Sequence, residues 1–225
     1  MIALVSANLG GLDPALALPA HPGIRATYYT DRPATLPGWD RVVQVYAVGG
    51  PRLSAKLYKC QIQRTADAPD ATWYLWADAC LRFSSLDFAA GLARSIGTDG
   101  RRAAFVPHPA RKSPGEEWEY VLQGVRAGHP YLAARYNVSE LECERDHFAR
   151  RHNIWQLPLW CGGLWMLAAS AATDAFLDDW WFNVRNRCIL DQAAIAPLLV
   201  EHGIQPVPIP VNIYKNPCWE RVPHA

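Results

Sequence analysis

The sequence predicts an α/β fold in which a mainly parallel central sheet is flanked by helices. Three observations carry this. Residues 1–80 alternate short apolar runs with turn residues and one helical stretch, the strand, turn, strand, helix, strand rhythm of parallel-sheet proteins. Three of the runs end in small polar or acidic residues, Ser6-Ala7-Asn8, Thr30-Asp31 and Asp78, as strands do where they enter loops. Half of the 225 residues are hydrophobic and 19% are charged, enough apolar surface for a sizeable core and too few charges for a disordered chain.

Ile2-Ala3-Leu4-Val5 is a continuous apolar run that ends in a turn at Gly10-Gly11, the pattern of a buried strand. Ile24–Thr30 is rich in β-formers and stops at Asp31, and Trp39–Val45 predicts a third strand. From Pro51 to Ala66 the period changes: Leu53, Leu57 and Cys60 fall on one helical face behind an N-terminal proline. Trp73–Ala77 returns to strand character. Beyond it the pattern predicts a helix over Asp87–Ile96 ended by Gly97 and a strand over Ala103–Val106. Next come a helix over Glu116–Ala127, with Trp118, Val121, Leu122 and Val125 on one side, and a charged helix over Tyr131–Phe148. A strand over Trp160–Leu167, a helix over Ala171–Arg187 and a helix over Asp191–His202 capped by Gly203 complete the regular part. The tail from Ile204 carries Pro206, Pro208, Pro210, Pro217 and Pro223 and is expected to wrap the surface in extended form. No repeat, low-complexity tract or linker divides the chain, so one domain over 1–225 is expected.

With 22 Lys+Arg against 21 Asp+Glu the formal net charge is +1, which argues against a strongly cationic nucleic-acid coat. The apolar stretch Leu157–Ser170 contains Pro158, Gly162 and Gly163 and falls short of the ~18 residues of a membrane span. The N-terminus shows no basic leader, and a cytoplasmic protein without a membrane span is expected. Six widely spaced cysteines without a CxxC predict reduced, mostly buried thiols rather than a disulfide framework or a structural zinc site. Most of the ten tryptophans belong in the core, although such rings also stack on the apolar faces of sugars.

Ligands of open parallel sheets collect at the C-terminal ends of strands, where Ser6, Asn8, Asp31 and Asp78 all fall. Arg52, Lys56 and Lys59 share one helix face just before the Asp-terminated strand. Lysine gives charge to a diphosphate and a carboxylate holds a divalent ion, so the pair suits a phosphate-bearing, metal-bridged ligand. Residues 1–112 hold 13 Lys+Arg against 8 Asp+Glu, consistent with a nucleotide in that half. Further along, His108-Pro109-Ala110-Arg111 with Glu116-Glu117, and Asp191-Gln192 at a helix start, group ionisable side chains. Each also has an ordinary role open to it: turn chemistry, a solvated face or a first-turn acid. GxSxG, GxxxxGK[ST], HExxH and GxGxxG are all missing from the sequence, so hydrolase, P-loop, metalloprotease and dinucleotide readings have no motif behind them.

One order of short motifs runs along nearly the whole chain. It begins Val5-Ser6-Ala7-Asn8-Leu9-Gly10-Gly11-Leu12-Asp13, Tyr28-Tyr29-Thr30-Asp31 and Trp39-Asp40. It continues through Ser54-Ala55-Lys56-Leu57-Tyr58-Lys59, Tyr74-Leu75-Trp76-Ala77-Asp78-Ala79-Cys80, His108-Pro109-Ala110-Arg111, Glu116-Glu117 and Leu190-Asp191-Gln192. In this order the chain resembles the GT-A glycosyltransferases, most closely the small bacterial and plant branch once catalogued as a domain of unknown function, with its turgor-regulation and mucilage-related glycosyltransferases. The resemblance implies a GT-A-like (Rossmann-like) domain, with 1–112 as the nucleotide-sugar half and 113–225 as the acceptor half with its extended tail. It implies a nucleotide-sugar donor, a UDP-sugar first among them, and a divalent cation, Mn2+ or Mg2+. By the same resemblance Ser6 and Asn8 touch the nucleotide, Asp31 its base or ribose, Lys56 and Lys59 flank the diphosphate, and Gln192 joins the donor site. Asp78 takes the first position of the Asp-x-Asp or Asp-x-Asn metal motif, whose third position here is Cys80. Asn212 and His224 are candidates for a late metal ligand.

In the implied mechanism, metal and lysines stabilise the leaving diphosphate while an acid deprotonates the acceptor hydroxyl. Asp191 is the first choice for that base, or for a contact to the donor sugar, and Glu117 the second. The acceptor is open between a glycan, a small molecule and a hydroxymethylated DNA base. Two other classes compete: a non-catalytic sugar-nucleotide or carbohydrate-binding module, favoured by Cys80, and a nucleotidyltransferase, disfavoured because Asn8–Asp13 contains no Arg or Lys.

Overall fold

The computed structural model describes residues 1–11 and 13–223. Its elements are β1 Ile2–Asn8, β2 Ile24–Thr30, β3 Arg41–Gln44, α1 Pro51–Cys60, α2 Ile62–Thr65, β4 Trp73–Ala77, β5 Leu81–Phe83, α3 Phe88–Ile96 and β6 Arg102–Pro107. They continue as α4 Pro114–Arg126, α5 Pro130–Ala133, α6 Val138–Ala149, β7 Trp160–Ala168, α7 Ala171–Asn186, α8 Asp191–Glu201, β8 Gln205–Pro208 and β9 Trp219–Arg221. Seven strands form one sheet in the order β3-β2-β1-β4-β7-β6-β8, and β5 pairs with β9 in a second, two-stranded sheet. In the large sheet β1–β2, β2–β3, β1–β4 and β6–β8 are parallel, and only β7 runs against its neighbours. The expected mainly parallel α/β sheet flanked by helices is the one observed.

β1 is buried along its whole length, which is why it reads as an unbroken apolar run. Its residues alternate between two cores: Ala3, Val5 and Ala7 face one side with the large helices, Ile2 and Leu4 the other with α3 and the C-terminal segment. α4 is capped by Ser113, whose Oγ accepts from Glu116 N at 3.2 Å, with Pro114 behind it at the first turn. α7 opens with a Ser170/Thr173 capping box.

Three expectations need correction. The helix over Pro51–Ala66 is broken at Gln61 into α1 and α2. The helix over Tyr131–Phe148 is two, because Asn137 caps a fresh start, its Oδ1 accepting from Ser139 N at 2.8 Å. The tail does more than wrap the surface: β8 joins the main sheet beside β6, and β9 pairs with β5, a strand too short for its pattern to show. His224 lies outside the described residues.

Candidate functional site

β1, β4 and β6 run in the same direction and end at one edge of the sheet, and β7, being antiparallel, begins there. The chain runs from β1 outward to β2 and β3, then crosses back through α1 to β4 on the other side of β1. That reversal of strand order is a topological switch point, the place where a sheet of this kind opens a crevice. A cleft of about 340 Å³ lies there, lined by Asn8, Asp13, the α1 side chains Arg52, Lys56 and Lys59, and Asp78. His108, Gln192, Tyr214 and Arg221 close it from the other half of the chain.

The charged centre is a triad of two lysines and one carboxylate. Asp191 Oδ1 lies 2.7 Å from Lys56 Nζ, and Asp191 Oδ2 lies 2.7 Å from Lys59 Nζ. Lys59 Nζ also stands over the rings of Trp76 and Trp180, 5.9 and 5.7 Å from their centroids. Burial by itself would raise the Asp191 pKa, but the two ammonium groups outweigh it and hold the carboxyl well below the usual carboxylate range. Burial pulls the Lys56 pKa down, whereas for Lys59 the opposing pull of Asp191 and Asp78 overcomes burial and raises it. The Trp180 indole donates to the Asp191 carbonyl at 2.9 Å and fixes the start of α8. A carboxylate held this way is a poor proton acceptor, so the geometry speaks against Asp191 as the general base.

Asp78 follows directly on β4. Its amide donates to Gly163 O at 2.8 Å, its Oδ1 accepts from Trp76 Nε1 at 2.8 Å, and Lys59 Nζ is 3.9 Å from the same oxygen. The side chain is 42% exposed and faces the cleft. Gly162 and Gly163 pass close by: a Cβ on Gly162 would lie 2.7 Å from Lys59 Nζ, and one on Gly163 would lie 3.0 Å from Asp78 Oδ2. Asp78 and Asp13 are the carboxylates of the cleft lining, so the protein by itself offers Mn2+ or Mg2+ fewer oxygen ligands than either ion takes. Cys80 is a soft thiol, and burial, reinforced by Asp78 and Asp13, pushes its pKa up to about 12. Among the described residues no group of three or more His, Cys, Asp and Glu side chains is placed to hold a metal ion, and Asn212 uses its Oδ1 on the amide of Tyr214 at 2.8 Å.

Glu117 is buried behind the cleft wall, ion-paired with Arg111 Nε and bonded by Gln192 Nε2 at 3.3 Å. Burial raises its pKa against the pull of Arg111 and Gln192. Gln192 itself lines the cleft and accepts from Gly162 N at 3.3 Å. Glu117 therefore braces Arg111 and Gln192 rather than facing an acceptor. Burial, with Arg111 beside it, lowers the His108 pKa to about 4, so this cleft imidazole is neutral at pH 7.

Of the residues expected at the nucleotide, Asn8 lines the cleft and closes the loop after β1, donating from Nδ2 to Asp13 O at 2.7 Å. Ser6 is buried and is not part of the cleft lining; it borders a small cavity with Leu18, Tyr28, Trp39 and Asp78. Asp31 is not part of the cleft lining; its Oδ2 accepts from Gly10 N at 2.8 Å, in a turn where φ is +82°. The structure thus brings Asn8, Lys56, Lys59, Asp78 and Gln192 together on the cleft, with Asp191 behind the lysines, and leaves Ser6, Asp31 and Glu117 outside its lining.

No protein-family profile matches the chain, and no curated protein matches it in sequence. Among solved structures the chain is similar to the apo form of mouse xyloside xylosyltransferase 1, with a TM-score of 0.47 and 9% identity, over 92% of this chain and 84% of that one. No helix among the described residues is long and apolar enough to cross a membrane, and all six cysteines are free.

Arg135, Arg221 and the tyrosines beside them line the cleft without a signal in the sequence. Arg52 stacks on Tyr136, 4.4 Å from its centroid, and donates to Arg135 O at 2.5 Å. Arg135 stacks on Tyr131 at 3.7 Å, so two Arg–Tyr pairs line one wall. Arg221 arrives from β9, near Tyr214. Only Arg52, in phase with Lys56 and Lys59, was visible beforehand.

Proposed function

We propose that this chain is a GT-A-type glycosyltransferase that moves a sugar from a nucleotide-sugar donor, a UDP-sugar first among them, to an acceptor hydroxyl. The observation that carries the reading is the Lys56–Asp191–Lys59 triad at the switch-point cleft, with Asp191 and Lys59 buried and Lys56 partly exposed, opposite the open carboxylate of Asp78. Preorganised cations stabilise charge that grows on a leaving diphosphate, and being fixed they need no reorganisation during the reaction. Asp78 is one of the carboxylates facing that space, so the proton-accepting role moves to it from Asp191. Asp191 positions the lysines. Gln192 and Asn8 supply neutral hydrogen bonds to the donor. Tyr131 and Tyr214, each about half exposed at the mouth, offer aromatic surface to the acceptor, a glycan, a small molecule or a hydroxymethylated DNA base.

The test is release of nucleoside diphosphate from a panel of nucleotide-sugars, with and without sugar acceptors. Asp78→Asn should lower turnover by about 10²–10⁴-fold, as removal of a general base does, with donor affinity preserved. Donor that binds but is never turned over, by wild type under any acceptor, would leave a binding module in place of an enzyme.

A further inference from the structure

A diphosphate brings several negative charges into the cleft, and these need neutralising. Among the described residues, Arg52, Lys56, Lys59, Arg135 and Arg221 line it, against Asp13 and Asp78. Asp191 stands behind the two lysines, and His108 is neutral at pH 7. Five cations thus face three carboxylates, and the balance is positive with no metal ion counted. Each lysine gives Asp191 one contact of 2.7 Å, so each ammonium keeps donors that the carboxylate does not use. Asp191 pins the two ammonium groups side by side, and the rings of Trp76 and Trp180 wall in Lys59. A cation placed on Asp78 would meet Lys59 Nζ, already 3.9 Å from Oδ1, and would find the thiol of Cys80 where a hard ligand is needed.

We infer that this chain holds the diphosphate of its donor with Lys56 and Lys59, positioned by Asp191, and without a divalent cation. The inference rests on the cleft being a nucleotide-sugar site, and the experiment separates the two. UDP, GDP, ADP and inorganic pyrophosphate are titrated into the full chain by calorimetry, once in EDTA and once in MnCl2. The best nucleoside diphosphate should bind in EDTA with a Kd within about threefold of that in manganese. Lys59→Met should weaken it by about tenfold or more, the loss of a charge-assisted bond, while the matching nucleoside scarcely changes. Asp78→Asn removes negative charge from beside the phosphates and should leave binding as tight as in wild type or tighter.

A nucleoside diphosphate that binds only with manganese, and is lost in Asp78→Asn, would overturn the metal-free site and leave the glycosyltransferase reading standing. No binding of any diphosphate in either buffer would overturn both. The EDTA comparison uses wild-type protein alone, so it decides the metal question even if Lys59→Met does not fold, and Lys56→Met, at the partly exposed lysine, then tests the phosphate contacts by the same tenfold loss.

Discussion

Lys56 and Lys59 could be placed on one helix face from their spacing, but the residue that sets their chemistry could not. Asp191 lies far along the chain, and no local pattern records a contact across that distance. Its first-turn position in α8 was legible and is favourable for a carboxylate; that two ammonium groups meet it there was not. Ser6 fails for a different reason. Asn8, two residues on and in the same strand phase, reaches the cleft at the end of β1, whereas Ser6 lies one step deeper in the sheet and is buried, and depth along a strand leaves no mark in the residue pattern. The same scale holds a group outside the site, Glu144, fully buried with Trp118 Nε1 on its Oε2 at 3.2 Å. Burial raises its pKa well above the ordinary glutamate value. A group raised in the folded state stabilises fully below the unfolded pKa and loses that contribution as pH rises toward the folded one. Between those limits wild type should lose about 1.4 kcal/mol per pH unit more steeply than Glu144→Gln, which cannot ionise. Urea unfolding of both proteins across pH 5 to 8 measures this; parallel slopes would mean that Glu144 is already solvated.

At the scale of elements, strands and helices were legible largely because burial and period coincide. β2 and β4 run over the expected residues, and α3 ends at Gly97 with φ +69°, as a glycine stop should. Direction was not legible, since strand propensity is the same whichever way a strand runs. The antiparallel course of β7 is what brings Gly162 and Gly163 to the carboxyl end of β4, beside Lys59 and Asp78. Gly162 has no side chain, and Lys59 Nζ occupies the space that a Cβ would need, 2.7 Å away. Gly162→Ala should therefore displace the ammonium from Asp191 while the strand keeps its pairing. The expected result is a loss of diphosphate affinity of about tenfold, the scale of one charge-assisted bond, together with a lower melting temperature because a buried ion pair is loosened. Equal affinity in the two proteins would show that Lys59 can hold phosphate from a shifted position.

The whole molecule is completed by the segment from which least was expected. Five prolines suggested a surface wrap, yet β8 adds to the sheet with Gln205–Pro208 against Arg102–Phe105, which prolines tolerate because an edge strand has a free side. Beyond it, β9 pairs with β5, and Trp219 packs between Phe83 and Phe88, with ring centroids 6.1 and 5.1 Å away. Its Nε1 donates to Ile213 O at 3.0 Å, closing the loop that carries Tyr214. Together with the β5–β9 pairing, Trp219 holds Tyr214 and Arg221 at the cleft. Truncating a buried Trp costs about 3–5 kcal/mol where the loss is felt globally. The strap can open without disturbing the centre of the sheet, and local opening needs less free energy than unfolding. Trp219→Ala should therefore speed amide exchange over residues 213–222 while β1 and β4 keep their protection. Diphosphate affinity should fall with it, because Arg221 is then no longer held in place. Unchanged exchange over 213–222 together with unchanged affinity would show that β8 and the remaining contacts fix the strap without Trp219. A lower affinity without faster exchange would instead point to a direct change in the cleft.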